Sequence, residues 1–342
     1  MGYGTIYYAN EKKKHGCCIA YKSKKFRVGT TRVFEFDDET DYPRSATTGN
    51  VGVLAELRSL IDGRGVIIAN CHLYWDPCGQ YERLRQTLIL SNEIKKLKAE
   101  LKLTAILCGD FNSQPLDLVY YALTHSFSKD NISDIIKDMA NSMDLKEASI
   151  KKEIEEVQDI CNTIDEGLAK IKAVKVDIPL GPVDLDELDG IENANKRKLS
   201  EVSELADDLR EAKLKKVKLS AQLNGFDSLV PPQKLYDAIL EHSRLISCYS
   251  SYAQLDSNYA CDNWESDEPK FTNYTDKFKS TLDYIFIPES SDSQSDNFFL
   301  ARLLSLPPTK TLGTGLPDVN NPSDHFPLMA ALKWSTSKVY ES

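Results

Sequence analysis

The sequence predicts an α+β domain, with helices packed outside β-sheets, interrupted by a helical insertion. Three observations predict it. Short apolar runs separated by turns fill residues 16–114, an amphipathic helix lies between two of those runs, and heptad stripes occupy a charge-rich stretch before strand-like runs resume.

The runs are Cys17 to Tyr21, Val28 to Phe36, Val51 to Leu57, Val66 to His72 and Ala105 to Cys108, each of strand length. Asp62-Gly63-Arg64-Gly65 has the glycines and aspartate of a tight turn, which predicts a hairpin between the third and fourth runs. Between the fourth and fifth, Leu90, Ile94, Leu97 and Leu101 recur at 4, 3, 4 spacing among charged residues, so Tyr81 to Leu101 reads as one helix with a single apolar face. A further helix is expected at about Pro115 to Thr124, and strands return at Leu282 to Ile287 and Leu328 to Trp334.

Residues 129–224 follow another grammar. Ile150, Ile154, Val157, Cys161, Ile164, Leu168 and Ile171 keep a 4, 3 alternation. Val202, Leu205, Leu209, Ala212, Lys216, Leu219 and Leu223 repeat it after a Pro- and Asp-rich connection around Pro179 to Gly190. Two such helices can fold into an antiparallel hairpin, and Asn224-Gly225 is an exit signal. The organisation is therefore a discontinuous domain, 1–128 with 225–342, around a coiled-coil-like insertion, 129–224. The stripes either pack on each other, the simpler reading, or receive a protein partner. Lys196-Arg197-Lys198 reads as a solvated face or as a nuclear-import patch.

Across 342 residues, 41% hydrophobic and 27% charged, the composition is that of a globular chain, and its formal charge of −10 argues against broad electrostatic capture of nucleic acid. A metal site can still hold phosphate locally. Eight cysteines without a CxxC pair read as reduced thiols in an intracellular protein of the cytoplasm or nucleus. Met1 to Lys14 has no apolar run and no stretch approaches membrane-spanning length, so neither secretion nor a membrane is expected.

Four segments place acids, amides or histidines beside apolar runs: Asn70-Cys71-His72-Leu73, Gly109-Asp110-Phe111-Asn112-Ser113, Leu282-Asp283-Tyr284-Ile285-Phe286 and Ser323-Asp324-His325-Phe326. Singly, each has a plainer reading as a structural histidine, a turn or a surface pair. Together they supply what phosphodiester hydrolysis needs: a carboxylate for a hard cation, a water activator, and donors around the phosphorane.

In this order the segments resemble the endonuclease/exonuclease/phosphatase superfamily. His72-Leu73-Tyr74-Trp75-Asp76-Pro77 with Gln86, and Phe271-Thr272-Asn273-Tyr274-Thr275 leading to Phe278-Lys279 and Asp283-Tyr284, look like its deadenylase, nocturnin and Angel branch, over roughly residues 1–125 and 225–342. The resemblance implies a four-layer α/β/β/α sandwich. It implies that Asp110 and Asn112 orient the attacking water and hold the scissile phosphate or a second metal, that Asp283 fixes the tautomer of His325 against the phosphate, and that His72 donates to a phosphate oxygen. Asp324 is implied as a metal ligand or a partner of one, for Mg2+ or Mn2+ in its place. Pro77 and Phe278 are implied to grip a base, although Pro77 can equally end a loop and Phe278 belong to the core; Trp75 is read as packing. The family's first strands, one ending in Asn and one bearing Leu-Gln-Glu with the principal magnesium ligand, are expected ahead of Met1 to Tyr21, so the sandwich is read as N-terminally truncated and its metal site as short of that glutamate. Glu35 and Glu56 do not match the motif.

With those first strands in place, the expected function is Mg2+-dependent 3′-5′ exoribonuclease action on an RNA 3′ end, poly(A)-specific or general. Alternatives are a catalytically inactive relative that binds RNA or a protein through the insertion, and a phosphodiesterase of small nucleotides or oligoadenylates.

Overall fold

The computed structural model describes residues 2–126, 129–173, 185–226, 228–255, 266–289, 298–308 and 311–334. Part of the connection around Pro179 to Gly190 lies outside them. The chain falls into two units, Met1–Ala140 with Val230–Ser342, and Asn141–Leu229.

In chain order the elements are β1 (Tyr3–Tyr8), β2 (Cys17–Lys22), β3 (Phe26–Glu35), β4 (Val51–Ser59), β5 (Gly65–His72), α1 (Gln80–Leu101), β6 (Ala105–Asp110), α2 (Leu118–Thr124), α3 (Lys129–Ala173), α4 (Leu185–Phe226), α5 (Pro232–Leu240), β7 (Leu245–Ser247), α6 (Tyr252–Leu255), β8 (Asn273–Tyr274), β9 (Lys279–Ser280), β10 (Asp283–Pro288), β11 (Phe298–Leu303) and β12 (Ala330–Trp334). The five apolar runs are β2 to β6. The expected turn joins β4 to β5: Ser59 N–H donates to the Arg64 carbonyl at 2.8 Å and Gly63 takes φ +73°, open to glycine without strain.

A six-stranded sheet in the order β3-β4-β5-β6-β10-β7 organises the first unit. Its β5–β6 pair is parallel, and α1 makes the crossover that a parallel pair requires. Alternation along β6 separates two layers. Ala105 and Leu107 face α1, α2 and α5, whereas Ile106 and Cys108 join a cluster with Phe298, Phe271, Leu306 and Phe326 from β11 and the loops of the opposite face. The β1–β2 hairpin lies on β4, with Cys17 and Ile19 against Val51, Val53 and Ala55. The fold is thus α+β, with helices on one face of the central sheet and smaller β-pairs on the other.

The first turns of α1 depart from simple amphipathicity, since Glu82, Arg83, Arg85 and Gln86 are all buried. Burial of such groups is tolerable only when each is bonded. Arg85 donates to the Phe36 and Glu39 carbonyls at 2.9 and 3.1 Å, bonds the Tyr42 carbonyl, and meets Glu82 at 3.3 Å. Glu82 in turn accepts from Ser45 N–H at 2.6 Å. Charged side chains here tie the β3–β4 loop to the helix.

In the second unit the sequence stripes are the less exposed faces: Ile150, Val157 and Cys161 are buried on α3, and Val202, Leu205, Leu209, Ala212, Lys216, Leu219 and Leu223 are partly covered on α4. Lys215 pairs with Glu153 at 2.7 Å, Lys213 with Asp165 at 3.9 Å, and the striped Lys216 donates to Gln158, so later α4 residues meet earlier α3 residues as in an antiparallel pair. Lys196 and Arg197 are exposed. The described cysteines are free thiols, and no described helix is long and apolar enough to cross a membrane.

Candidate active site

Three neighbouring strands deliver the first acidic and imidazole groups. Strand register sets His72 of β5 opposite Asp110 of β6, and Asp110 opposite Asp283 of β10. Their side chains gather at the same end of the sheet: His72 Nε2 is 3.5 Å from Asp110 Oδ2. Gly109 makes the approach possible. Its φ is +148°, and a Cβ there would lie 2.1 Å from the Cys71 carbonyl oxygen. Beyond β6 the chain turns through Asn112, at φ +47°, whose N–H donates to Asp110 Oδ1 at 2.8 Å and whose amide donates to the Leu73 carbonyl at 3.0 Å.

The fourth segment is clamped beside the third. Phe326 N–H donates to the Thr272 carbonyl and Tyr274 N–H to the Asp324 carbonyl, both at 2.8 Å, with Asn273 bridged to His325. His325 Nδ1 donates to Asp283 Oδ2 at 2.7 Å, and the Thr272 hydroxyl donates to the same oxygen at 2.6 Å. The ring is thereby oriented with Nε2 toward Asp110 Oδ2, 3.9 Å away.

These contacts separate the titrating groups. The bond to Asp283, followed by the fields of Asp283, Asp110 and Asp324, outweighs burial and raises His325 to about 9. Burial first, then the nearby charges of His15 and Lys13, lower His72 to about 4. Burial first, then Asp283, raise Asp110 to about 6. At neutral pH His325 is cationic and His72 is neutral.

The ligand atoms of Asp110, Asp283 and His325 lie within 4.8 Å of one another. The carboxylate oxygens of Asp110 and Asp283 are the donors that hard divalent cations prefer, so this pair, with His325 beside it, fits such an ion. No glutamate joins this cluster among the described residues. Glu56 is bonded to Thr30 N–H and Arg58, and Glu35 to Tyr8 and Asn10.

A cleft of about 700 Å³ contains all eight residues singled out from sequence: His72, Pro77, Asp110, Asn112, Phe278, Asp283, Asp324 and His325. Asp324 lies outside the three-residue cluster, its carboxylate accepting from the Asn273 amide at 3.3 Å. Phe278, at the β8–β9 turn, is 44% exposed and is no core residue. Trp75 was expected to pack, but it is 68% exposed and lines the cleft. Its loop is held from beneath by α1: Tyr74 N–H donates to Gln86 Oε1 at 3.1 Å, and Arg83 donates to the Asp76 carbonyl at 2.6 Å. Sequence reasoning gave no role to Arg83, Thr272 or Asn273. The Phe271 to Thr275 stretch was conspicuous, but its partners lie across the fold.

No protein-family model matches the chain. It is 27% identical over 350 residues to a Schizosaccharomyces pombe protein described as a probable RNA exonuclease, covering 96% of this chain and 62% of that protein. It is 27% identical over 324 residues to an RNA exonuclease of Saccharomyces cerevisiae, covering 86% and 55%. The chain thus spans less than two thirds of these relatives' lengths. Among solved structures, that of ANGEL2, described as a 2′,3′-cyclic phosphatase, superposes with a TM-score of 0.55 at 20% identity, covering 97% of this chain and 74% of that one. The fold is that of the endonuclease/exonuclease/phosphatase type, and the likeness to RNA exonucleases and Angel proteins agrees with the branch read from the motifs.

Proposed function

We propose that this chain, a relative of RNA exonucleases with the endonuclease/exonuclease/phosphatase fold, acts as a Mg2+-dependent 3′-5′ exoribonuclease releasing nucleoside 5′-monophosphates. The observation that carries the reading is the convergence of His72, Asp110, Asn112 and the Asp283–His325 pair on one cleft. In this reading residues 1–128 and 225–342 form the nuclease-type domain, and 129–224 the helical insertion.

Asp110 and Asp283, with His325 beside them, would hold Mg2+, or Mn2+ in its place, whose chemistry when bound would be to draw charge from a phosphate oxygen. Asp110 and Asn112 orient the attacking water and the scissile phosphate. His325, held by Asp283, presents its Nε2–H to the oxygen on which charge grows, and His72 donates from the other side. Asp324 serves as a further ligand or as the partner of one. Pro77 and Phe278, both exposed in the cleft, take the terminal base between them by stacking, which is indifferent to sequence.

The test is single-turnover digestion of a 5′-labelled oligoadenylate at millimolar Mg2+ by the wild-type protein and Asp110→Ala. The expected result is stepwise shortening from the 3′ end with release of AMP, slowed at least about a hundredfold by the substitution, a loss of about 3 kcal/mol of transition-state stabilisation. Equal rates in the two proteins would refute the assignment and favour the inactive binding relative.

A second reading rests on the size of the cleft. About 700 Å³ is room enough for a single nucleotide, and the superposing ANGEL2 structure is described as that of a 2′,3′-cyclic phosphatase. Faster turnover of a dinucleotide than of a long RNA would favour a phosphodiesterase of small nucleotides.

A further inference from the structure

We infer that a second cavity, of about 150 Å³, where α1, α2 and α5 meet the central sheet, binds a small organic carboxylate with an apolar tail. It shares no lining residue with the cleft. Ala105 and Leu107 open β6, whereas Asp110 closes it, so the two sites lie toward opposite ends of one strand.

Its rim carries two lysines and two histidines against one acid, in a chain whose formal charge is −10. Lys95 and Lys98 come from α1, His125 from the end of α2, and His242 from the turn after α5. His242 feels the other three: after burial, the fields of Lys95, Lys98 and His125 lower its pKa against the opposing field of Glu241. Glu241 is the acid on the rim, while the nearby Glu289 is already paired with Arg244 at 2.9 Å. Lys98 is partly buried, burial lowers its pKa, and among the described residues its ammonium has no hydrogen-bond or ion-pair partner. A partly desolvated ammonium without a counter-ion is costly, and an anion seated beside it supplies what the protein does not. His125 is held at φ +50°, a conformation uncommon outside glycine, at this same rim.

The floor selects the kind of anion. Leu107, Leu123 and Ile239 form an apolar surface beneath the basic rim. Inorganic phosphate or sulfate would satisfy the rim and leave that floor wet, whereas a carboxylate on a ring or short hydrocarbon satisfies both. A cavity of about this volume admits a benzene ring.

Benzoate is therefore the probe, followed in the full chain by the histidine ring-proton NMR signals. Inorganic phosphate serves as the headgroup alone and benzyl alcohol as the tail alone. The expected result is saturable shifts of two histidine resonances, with Kd on the order of 1 mM for so small a ligand. Both controls should be at least tenfold weaker, as should benzoate on Lys98→Met, which keeps the stem and removes the charge. Three results would each overturn the proposal: no saturation by about 50 mM benzoate, benzyl alcohol or phosphate binding as tightly as benzoate, or unchanged affinity in a folded Lys98→Met protein. The wild-type comparisons decide the matter even if that variant fails to fold.

Discussion

Glu268→Gln should stabilise the protein at alkaline pH and leave it nearly unchanged in acid. Glu268 is fully buried; one carboxyl oxygen accepts from the Tyr120 hydroxyl at 2.8 Å, and the other has no hydrogen-bond partner among the described residues. Burial pushes its pKa from 4.5 up to about 7, against the opposing influence of Ser247 and Tyr120. Because the folded-state value lies above the unfolded one, the folded protein retains a proton that the unfolded chain releases. The penalty is absent below the unfolded value, builds as pH rises between the two, and is complete above about 7. At 1.36 kcal/mol per pH unit the interval corresponds to about 3 kcal/mol, most of it acquired between about pH 4.5 and pH 7. Glutamine carries no charge at either pH and keeps a carbonyl for the Tyr120 hydroxyl. Urea unfolding of wild type and Glu268→Gln, followed by near-ultraviolet circular dichroism of the tyrosines packed around Tyr120, measures the difference at both pH values. A difference that does not grow with pH would show that Glu268 ionises freely, and the reasoning would fail.

His325→Ala should slow hydrolysis about a hundredfold, the scale on which a single transition-state donor acts, and Asp283→Asn should approach it because the ring loses its orienting carboxylate. Chemical-quench rates at saturating RNA would report both, and an unchanged rate would place His325 among structural residues. Phe278→Ala should raise KM for oligoadenylate about fivefold or more while largely sparing kcat, since a stacked base contributes about 1–3 kcal/mol; a fall in kcat alone would contradict the clamp. Arg85→Met should destabilise the fold by about 3–5 kcal/mol in urea unfolding, because it leaves Glu82 charged and buried without its partner.

The strand-end motifs were legible because each is a short apolar run meeting a polar group, a pattern local to the sequence. β5 and β6 were read with nearly their observed bounds. The stripes of α3 and α4 were legible for the same reason, since a helix shows its neighbour every third or fourth residue. The edge strand β1 gave no comparable signal: Tyr3, Gly4, Thr5, Ile6, Tyr7 and Tyr8 are only half covered, so selection for an apolar face is weak there. Periodicity misjudged the start of α1, where Arg83 and Arg85 resemble a solvated face but are buried on loop carbonyls far away in sequence. The same limit hid Thr272, whose bond to Asp283 spans 11 residues, and Asn273, whose bridge to His325 spans a longer interval. Trp75 was misread because a large aromatic ring looks alike in sequence whether it fills a core or faces a cleft.

His72, Asp110 and Asp283 occupy one rung of the backbone ladder, across three consecutive strands. Their alignment is inherited from the hydrogen-bond register of the sheet. Side chains alternate faces along a strand, so adding or deleting one residue within β6 would turn the carboxylate of Asp110 toward the helices and bring Gly109 or Phe111 into its place. Such an indel leaves every functional group in the chain and still dismantles the site. Chemical competence in this molecule is therefore a sensitive reporter of correct strand pairing, more so than secondary-structure content, which a slipped sheet would preserve.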